Sequence, residues 1–275
     1  MLEVLEKEPI TSEVFRMKVY APHVAGKRKA GQFIILRVDD VGERIPLTIA
    51  DADADAGTLT LFFQVVGATT YKLSKLNVGD RLHDLVGPLG KATHIEKFGT
   101  VAVVGGGVGV APLYPITKAL KEADNRLIGI IGARTKALLI LENEMRATCE
   151  ELLVSTDDGS YGHKGFVTDL LRGVLERESK VDLCVAVGPP IMMKFVCRLT
   201  KEFEVPTIVS LNPIMVDGTG MCGACRVEVG GETKFCCVDG PEFDGHTVNW
   251  DLFFKRLRTY QEHEKTAYDK VKSQE

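Results

Sequence analysis

Two periodicities of apolar residues divide the chain. In its first part, runs such as Phe33-Ile-Ile-Leu-Arg-Val38 and Leu59-Thr-Leu-Phe-Phe-Gln-Val-Val66 are rich in β-branched and aromatic side chains. Gly31, Asp39-Asp40, Asp55-Ala-Gly57, Gly67, Gly79-Asp80 and Gly87-Pro88-Leu-Gly90 punctuate them as turns, with no helical period between. Short strands so spaced predict an antiparallel β-barrel over residues 1–97. After Gly99 the pattern alternates. Apolar runs at Thr100–Val104, Leu127–Gly132, Leu152–Ser155 and Val181–Val187 read as buried parallel strands. Helical patterns separate or follow them, one ending near Ala123, then roughly Leu141–Glu150, Thr168–Arg177 and Ile191–Phe203. That alternation predicts an α/β doubly wound domain over residues 98–212. A cysteine-rich module over 213–250 follows, then a C-terminal helix over 251–275. Leu252, Phe253, Leu257 and Tyr260 fall near one face of that helix, and it turns polar after Gln261.

Composition narrows the classes. At 275 residues, 45% hydrophobic and 26% charged, the chain suits a soluble protein of two or three modules. A net charge of −4 offers no basic field to nucleic acid. No apolar run approaches the ~20 residues that span a bilayer. The opening MLEVLEKEPITSEVF carries early acidic residues and lacks the apolar core of a secretory signal. Cys149, Cys184 and Cys197 are scattered and read as packed thiols, which fits a cytoplasmic protein.

The strongest chemical signal is Asp217-x4-Cys222-x2-Cys225-x11-Cys237. Plant-type ferredoxin loops space their first three [2Fe–2S] ligands x4 and x2, with the fourth cysteine distant. Here the first position is aspartate. Glycines 218, 220 and 223 let the backbone bend closely around sulfide. In an extended strand, neighbours point to opposite faces, so one of Cys236 and Cys237 is the third thiolate and the other packs. Two alternatives stand: Cys222, Cys225, Cys236 and Cys237 as a structural zinc site, or a disulfide.

A second signal follows the run Thr100–Val104. Gly105, Gly106, Gly107, Val108 and Gly109 lead into a helical pattern, where free N–H groups and a positive helix end suit a phosphate. Arg134, then Thr156, Asp157 and Asp158, then Gly188, Pro189 and Met192 follow the later strands, at the ends where such sheets bind ligands. Taken singly, each is a surface cation or a turn former; together they point to a nicotinamide dinucleotide. Asp157 and Asp158 would repel a 2′-phosphate and accept a ribose hydroxyl, whereas Arg134 would attract a phosphate. NAD(H) is therefore expected ahead of NADP(H).

These strings resemble the ferredoxin-reductase superfamily. Its glycine loop, Gly-x-Gly-x-Ala-Pro, matches Gly107-Val-Gly109-Val-Ala111-Pro112, and its barrel holds flavin through Arg-x-Tyr-Ser/Thr and a later Gly/Thr turn. Arg44-Ile-Pro46-Leu47-Thr48 stands at the first motif, with Leu47 in the aromatic position and Arg44 one residue farther from Thr48. Val65, Val66, Gly67, Thr69 and Thr70 stand at the second. The resemblance implies FAD, with the Thr48 hydroxyl on the ring, Arg44 offsetting the pyrophosphate, and amides near Gly67 cradling phosphate oxygens. Val187 stands where many members have a cysteine facing the nicotinamide.

The order barrel, nucleotide domain, cluster is similar to the electron-transfer subunits of the dihydroorotate dehydrogenase type. Asn212-Pro-Ile-Met-Val-Asp217 and Val238-Asp-Gly-Pro-Glu-Phe look most like one branch, the small subunits of NADH-dependent reduced ferredoxin:NADP oxidoreductases, also called sulfide dehydrogenases. That implies an NAD(P)H-dependent flavoprotein oxidoreductase subunit in a heterodimer. It would pass electrons between NAD(H), FAD and a [2Fe–2S] cluster to a larger partner with a second, bifurcating flavin and further clusters. No catalytic acid–base pair or triad is expected. The alternatives are service to dihydroorotate dehydrogenase, a reductase acting alone, or a non-enzymatic zinc-knuckle binding module.

Overall fold

The computed structural model describes residues 2–273. The barrel strands are β1 (Val4–Pro9), β2 (Val14–Tyr20), β3 (Phe33–Arg37), β4 (Ile45–Asp53), β5 (Thr58–Gln64) and β6 (Asp84–Leu89). A short helix α1 (Pro22–Ala25) follows β2, and α2 (Ala68–Lys75) follows β5. All pairings are antiparallel, in the order β1-β2-β5-β4-β3-β6. The segment leading into β6 meets the start of β1: Val4 N–H donates to the Asp80 carbonyl and Leu82 N–H to the Leu2 carbonyl, both at 2.9 Å. Alternate residues Leu59, Leu61 and Phe63 of β5 point inward with Met17, Ile34, Leu36 and Ile49, and they fill the barrel.

The sequence reads Gly87-Pro88-Leu89 as turn punctuation, but these residues lie inside β6. Pro88 is tolerated because β6 is the last strand in the hydrogen-bonded order, where a missing donor breaks no central ladder.

The second sheet runs β10-β9-β8-β7-β11-β12-β15. Its parallel strands are β7 (Thr100–Gly106), β8 (Arg126–Ala133), β9 (Glu151–Thr156), β10 (His163–Lys164), β11 (Leu183–Val187) and β12 (Thr207–Ser210). The connecting helices are α3 (Val110–Glu122), α4 (Glu142–Thr148), α5 (Val167–Arg177) and α6 (Pro190–Glu202). Both faces of β7 are buried. Ala102 and Val104 pack in the core that holds Leu171 of α5 and Val196 of α6, while Val101 and Val103 pack with Leu113 and Ile116 of α3. That is why the sequence shows a continuous apolar run there rather than alternation. From β7 the chain steps outward through β8 and β9, then returns to β11 on the other side. The reversal falls between β7 and β11.

The cysteine-rich stretch forms a hairpin of β13 (Arg226–Val229) and β14 (Glu232–Phe235), then a helical turn α7 (Cys236–Asp239) and strand β15 (Glu242–Asp244). β15 pairs antiparallel with β12 and extends the nucleotide sheet. Cys225, Val227, Cys236, Cys237, Trp250 and Phe253 share one core with Phe33 and Ile35 of the barrel and with Ala102 and Val104 of β7. Barrel, sheet and cysteine module are therefore packed against one another.

The single helix expected over 251–275 is two helices, α8 (Trp250–Leu257) and α9 (Gln261–Lys272); positions 274 and 275 lie outside the described residues. Asn249 caps α8 by accepting the Leu252 N–H. Its buried face is Trp250 and Phe253, whereas Leu252 and Tyr260 are exposed. The polar α9 lies against α2, with Tyr268 edge-on to Tyr71 at 5.7 Å.

Candidate functional site

A cavity of about 970 Å³ opens at the carboxyl ends of β7 and β11, where the strand order reverses. Such a switch point is where open α/β sheets take ligands, because flanking loops diverge and leave a crevice. Pro46, Leu47 and Thr48 of β4 form its barrel wall. Gly106, Gly107, Val108, Gly109, Arg134, Asp157, Gly188, Pro189 and Met192 form the sheet side. Strands from two sheets thus bring together residues that sequence alone leaves scattered. The volume sits at the top of the range for single-ligand pockets, which suits an extended ligand such as a dinucleotide.

The glycine loop is built by close approach. A Cβ on Gly109 would stand 2.5 Å from Gly188 Cα and 2.6 Å from the Val187 carbonyl, so the loops after β7 and β11 touch backbone to backbone. Gly188 in turn abuts Met192 and the Gly106 amide. Gly107 has φ +54, a conformation that favours glycine, and the space beyond its Cα is open. A 3-10 turn at Gly107–Gly109 then feeds α3; the Val110 N–H donates back to the Gly107 carbonyl, so the helix end presents the amides of the turn rather than those of α3 itself.

Around the loop after β9 the predicted residues divide. Asp157 lines the cavity, and so does Arg134, which makes no ion pair among the described residues. Thr156 does not reach it. Its hydroxyl donates to the Tyr161 carbonyl at 2.7 Å and accepts from the Tyr161 N–H, closing the loop on itself. Asp158 turns to the Ser160 amide at 2.9 Å, and the hydroxyl and amide of Ser160 hold its carboxyl below the usual range. Gly105 sits inside β7 just behind the cavity.

The barrel residues divide as well. Arg44 is committed to Asp84 at 2.8 Å and is absent from the cavity wall, which differs from the phosphate role expected for it. Val65, Val66, Gly67, Thr69 and Thr70 lie at the end of β5 and the start of α2, outside the cavity. The Thr70 hydroxyl accepts from the amides of Val66 and Gly67, both at 3.0 Å, so those two amides are already engaged. Sequence reasoning missed other wall residues. Glu13 and Gln64 face the cavity and hydrogen bond to each other at 2.9 Å, and Phe33, Phe62 and Asn212 also line it. Only non-local strand pairing brings these together, and Glu13 reads locally as a hairpin residue.

The cysteine loop packs on the barrel: a Cβ on Gly218 would meet Leu89 at 2.6 Å and Ile35 at 2.9 Å. Gly218, Gly220 and Gly223 have φ +77, +86 and +66, and they curl the backbone around Asp217. Its carboxylate accepts from the amides of Thr219 at 3.1 Å and of Met221 and Cys222 at 2.9 Å. Burial pushes this carboxyl up, but the Thr219, Cys222 and Met221 amides outweigh it and hold it at about 2.

Cys225 and Cys237 are buried with their sulfurs 3.2 Å apart. Cys236 is also buried, within the shared core. The pair Cys236-Cys237 lies in a helical turn rather than the expected strand. The two side chains still diverge, now because successive helical residues rotate about 100° apart. Burial, then the neighbouring Cys225, pushes the Cys237 thiol up to about 12, so loading a metal here must expel its proton.

Among the described residues, no three His, Cys, Asp or Glu side chains converge as one metal ion would require. The donors fall in two pairs, the Asp217 carboxylate beside the amide and side chain of Cys222, and Cys225 Sγ beside Cys237 Sγ. Paired donors on a glycine-bent loop suit two metal atoms rather than one zinc.

The family models match two stretches of the chain. Residues 103–198 match an oxidoreductase NAD-binding domain, and residues 212–249 match the iron–sulfur cluster binding domain of dihydroorotate dehydrogenase B. A Thermotoga maritima protein, a homolog of the electron transfer subunit of dihydroorotate dehydrogenase B (NAD(+)), is 53% identical across 98% of this chain and 94% of its own. The chain belongs to the dihydroorotate dehydrogenase B electron transfer subunit family. A member from Desulforamulus reducens is 32% identical over 90% of this chain and 97% of its own. A solved chain from work on flavin-based electron bifurcation by an NADH-dependent reduced ferredoxin–NADP oxidoreductase superposes with a TM-score of 0.93. It is 51% identical, covering 98% of this chain and 97% of the other. Membership makes this chain an oxidoreductase subunit with an NAD-binding domain and an iron–sulfur domain. No helix among the described residues is long and apolar enough to cross a membrane.

Proposed function

We propose that this chain is the FAD- and [2Fe–2S]-carrying subunit of a cytoplasmic, flavin-based bifurcating ferredoxin:NADP oxidoreductase. It would relay electrons between NAD(H) and a larger flavin and iron–sulfur partner. One observation carries the reading: barrel residues Pro46–Thr48 face the loop Gly106–Gly109 across one cavity, and the cysteine loop packs on barrel strands β3 and β6. When bound, FAD and the cluster convert the two-electron chemistry of nicotinamide into one-electron transfer.

In this proposal Thr48 hydrogen bonds the flavin ring, and the free amides at the start of α2 meet flavin phosphate. The amides of the turn Gly107–Gly109 meet the dinucleotide phosphates, and Asp157 accepts from a ribose hydroxyl. The proposed units are barrel 1–97, nucleotide domain 98–212, cluster module 213–250 and tail 251–275. Asp217, Cys222, Cys225 and Cys237 hold the irons; Cys236 packs. Asp217 is a hard oxygen donor among soft thiolates, and its loop amides keep it ionised. The reading asks for no side-chain acid or base.

Anaerobic titration of the purified full chain with NADH tests it. Stoichiometric bleaching of the flavin band is expected, and a chain that binds flavin yet is not reduced by NADH contradicts it. The 53% identity to the Thermotoga maritima homolog favours a second partner, a dihydroorotate dehydrogenase. Co-purification from the native cell extract, with the captured subunit identified by mass, distinguishes the two.

A further inference from the structure

Two guanidinium groups grip the cysteine loop from outside. Arg226, the first residue of β13, donates to the Gly223 carbonyl at 2.9 Å, and Arg256 of α8 donates to the Ala224 carbonyl at 3.1 Å. With Cys222 they line a small cavity of about 230 Å³. In a trans peptide the carbonyl and the following N–H point in opposite directions. Holding the Gly223 carbonyl toward Arg226 therefore aims the Ala224 N–H back at the loop, where it lies 3.5 Å from Cys222 Sγ. Arg226 is exposed and Arg256 is partly buried, so water and salt screen the first charge more than the second.

We propose that Arg256, with Arg226 as the weaker member, raises the reduction potential of the cluster held by Asp217, Cys222, Cys225 and Cys237. The inference rests on the proposed reading of those four as [2Fe–2S] ligands. Reduction adds one electron and no proton, so the site becomes more negative by one charge. A guanidinium stays charged at all working pH and stabilises the reduced state more than the oxidised one. Hydrogen bonds to the ligand sulfurs also tune such potentials. Arg256 also bridges α8 to the loop, so the tail helix becomes part of the electrostatic setting of the electron exit. Both arginines are positioning residues.

The test is an EPR-monitored redox titration of the anaerobically purified full chain with dithionite, comparing parent, Arg256→Met, Arg256→Lys and Arg226→Met. For Arg256→Met the expected result is about a tenfold fall in the reduced-to-oxidised ratio at a fixed potential, about 59 mV for a one-electron couple. Arg256→Lys keeps the charge and shifts less. Arg226→Met shifts less still, and its effect fades as salt is raised. Should Arg256→Met not accumulate, the salt-dependent shift of Arg226→Met carries the test. An intact EPR signal with unchanged potential in Arg256→Met overturns the inference, as does a lysine variant shifted as far as methionine. A parent chain without iron or EPR signal overturns the cluster reading instead.

Discussion

The chain uses glycine twice for opposite reasons. In the loop after β7, Gly109 is glycine because a neighbouring backbone fills the space a side chain would need. In the loop after Asp217, glycines are required by dihedral angle, with φ between +66 and +86 at Gly218, Gly220 and Gly223. The first loop is defined by what presses on it from the β11 side, the second by how tightly it must curl. A nucleotide phosphate takes amides from a rigid, packed loop, whereas a cluster takes side chains converging from a bent one. The two loops should therefore fail differently when altered.

The largest contrast is expected within the cysteine loop. Cys225→Ser or Cys237→Ser should lose most bound iron and sulfide while leaving nucleotide binding intact. Cys236→Ser, whose side chain belongs to the shared core, should keep iron and lower the melting temperature instead. Iron analysis beside a thermal melt reads both; iron loss in Cys236→Ser with retention in Cys237→Ser would invert the ligand assignment.

Gly109→Ala comes next. Its new methyl meets backbone that cannot rotate away, so the loops must separate at a cost of about 2–3 kcal/mol. NADH affinity should fall at least tenfold by equilibrium titration, with iron content unchanged. An affinity equal to the parent's would show that this loop is not the phosphate cradle.

Glu242 links the two regions. It sits at the joint between the barrel and β15, partly buried, and accepts from the Thr93 hydroxyl at 2.6 Å. Burial raises its carboxyl to about 7 against the ordinary 4.5, and the Thr93 bond only partly offsets this. The folded state therefore holds the proton more tightly than the unfolded chain. Its contribution to stability is fully present below about pH 4.5 and is lost as pH rises through about 7, a change of about 3 kcal/mol. Glu242→Gln should flatten urea-melt stability across that window and exceed the parent at pH 8. Parallel pH profiles would remove Glu242 from the account.

Gly220→Ala should be mildest. Left-handed backbone costs a non-glycine residue about 1 kcal/mol, and Val238, 3.2 Å from the new methyl, can shift. A slightly lower melting temperature with iron retained is expected; wholesale iron loss would mean the curl tolerates no strain.

Much of this arrangement was legible in the residue pattern, for identifiable reasons. Thr100–Val104 and Val181–Val187 are apolar without alternation because helices cover both faces of their sheet, and the glycine loop and cysteine spacing are local signals. What escaped is non-local. Arg44 finds Asp84 across 40 residues of sequence, which no local motif encodes. Glu13 and Gln64 reach the cavity only because β2 pairs with β5. Thr156 looks like a ligand contact from its place after a strand, yet its hydroxyl serves Tyr161. The break of the tail into α8 and α9 is hidden because the helical period runs on through Tyr260.

The most direct measurement is the iron, acid-labile sulfide and flavin content of the anaerobically purified full chain, read with its visible and EPR spectra. The account predicts about two irons, about two sulfides and about one flavin per chain, with an EPR signal that appears on one-electron reduction. A folded, flavin-containing chain that binds no iron, or one zinc in its place, would contradict it.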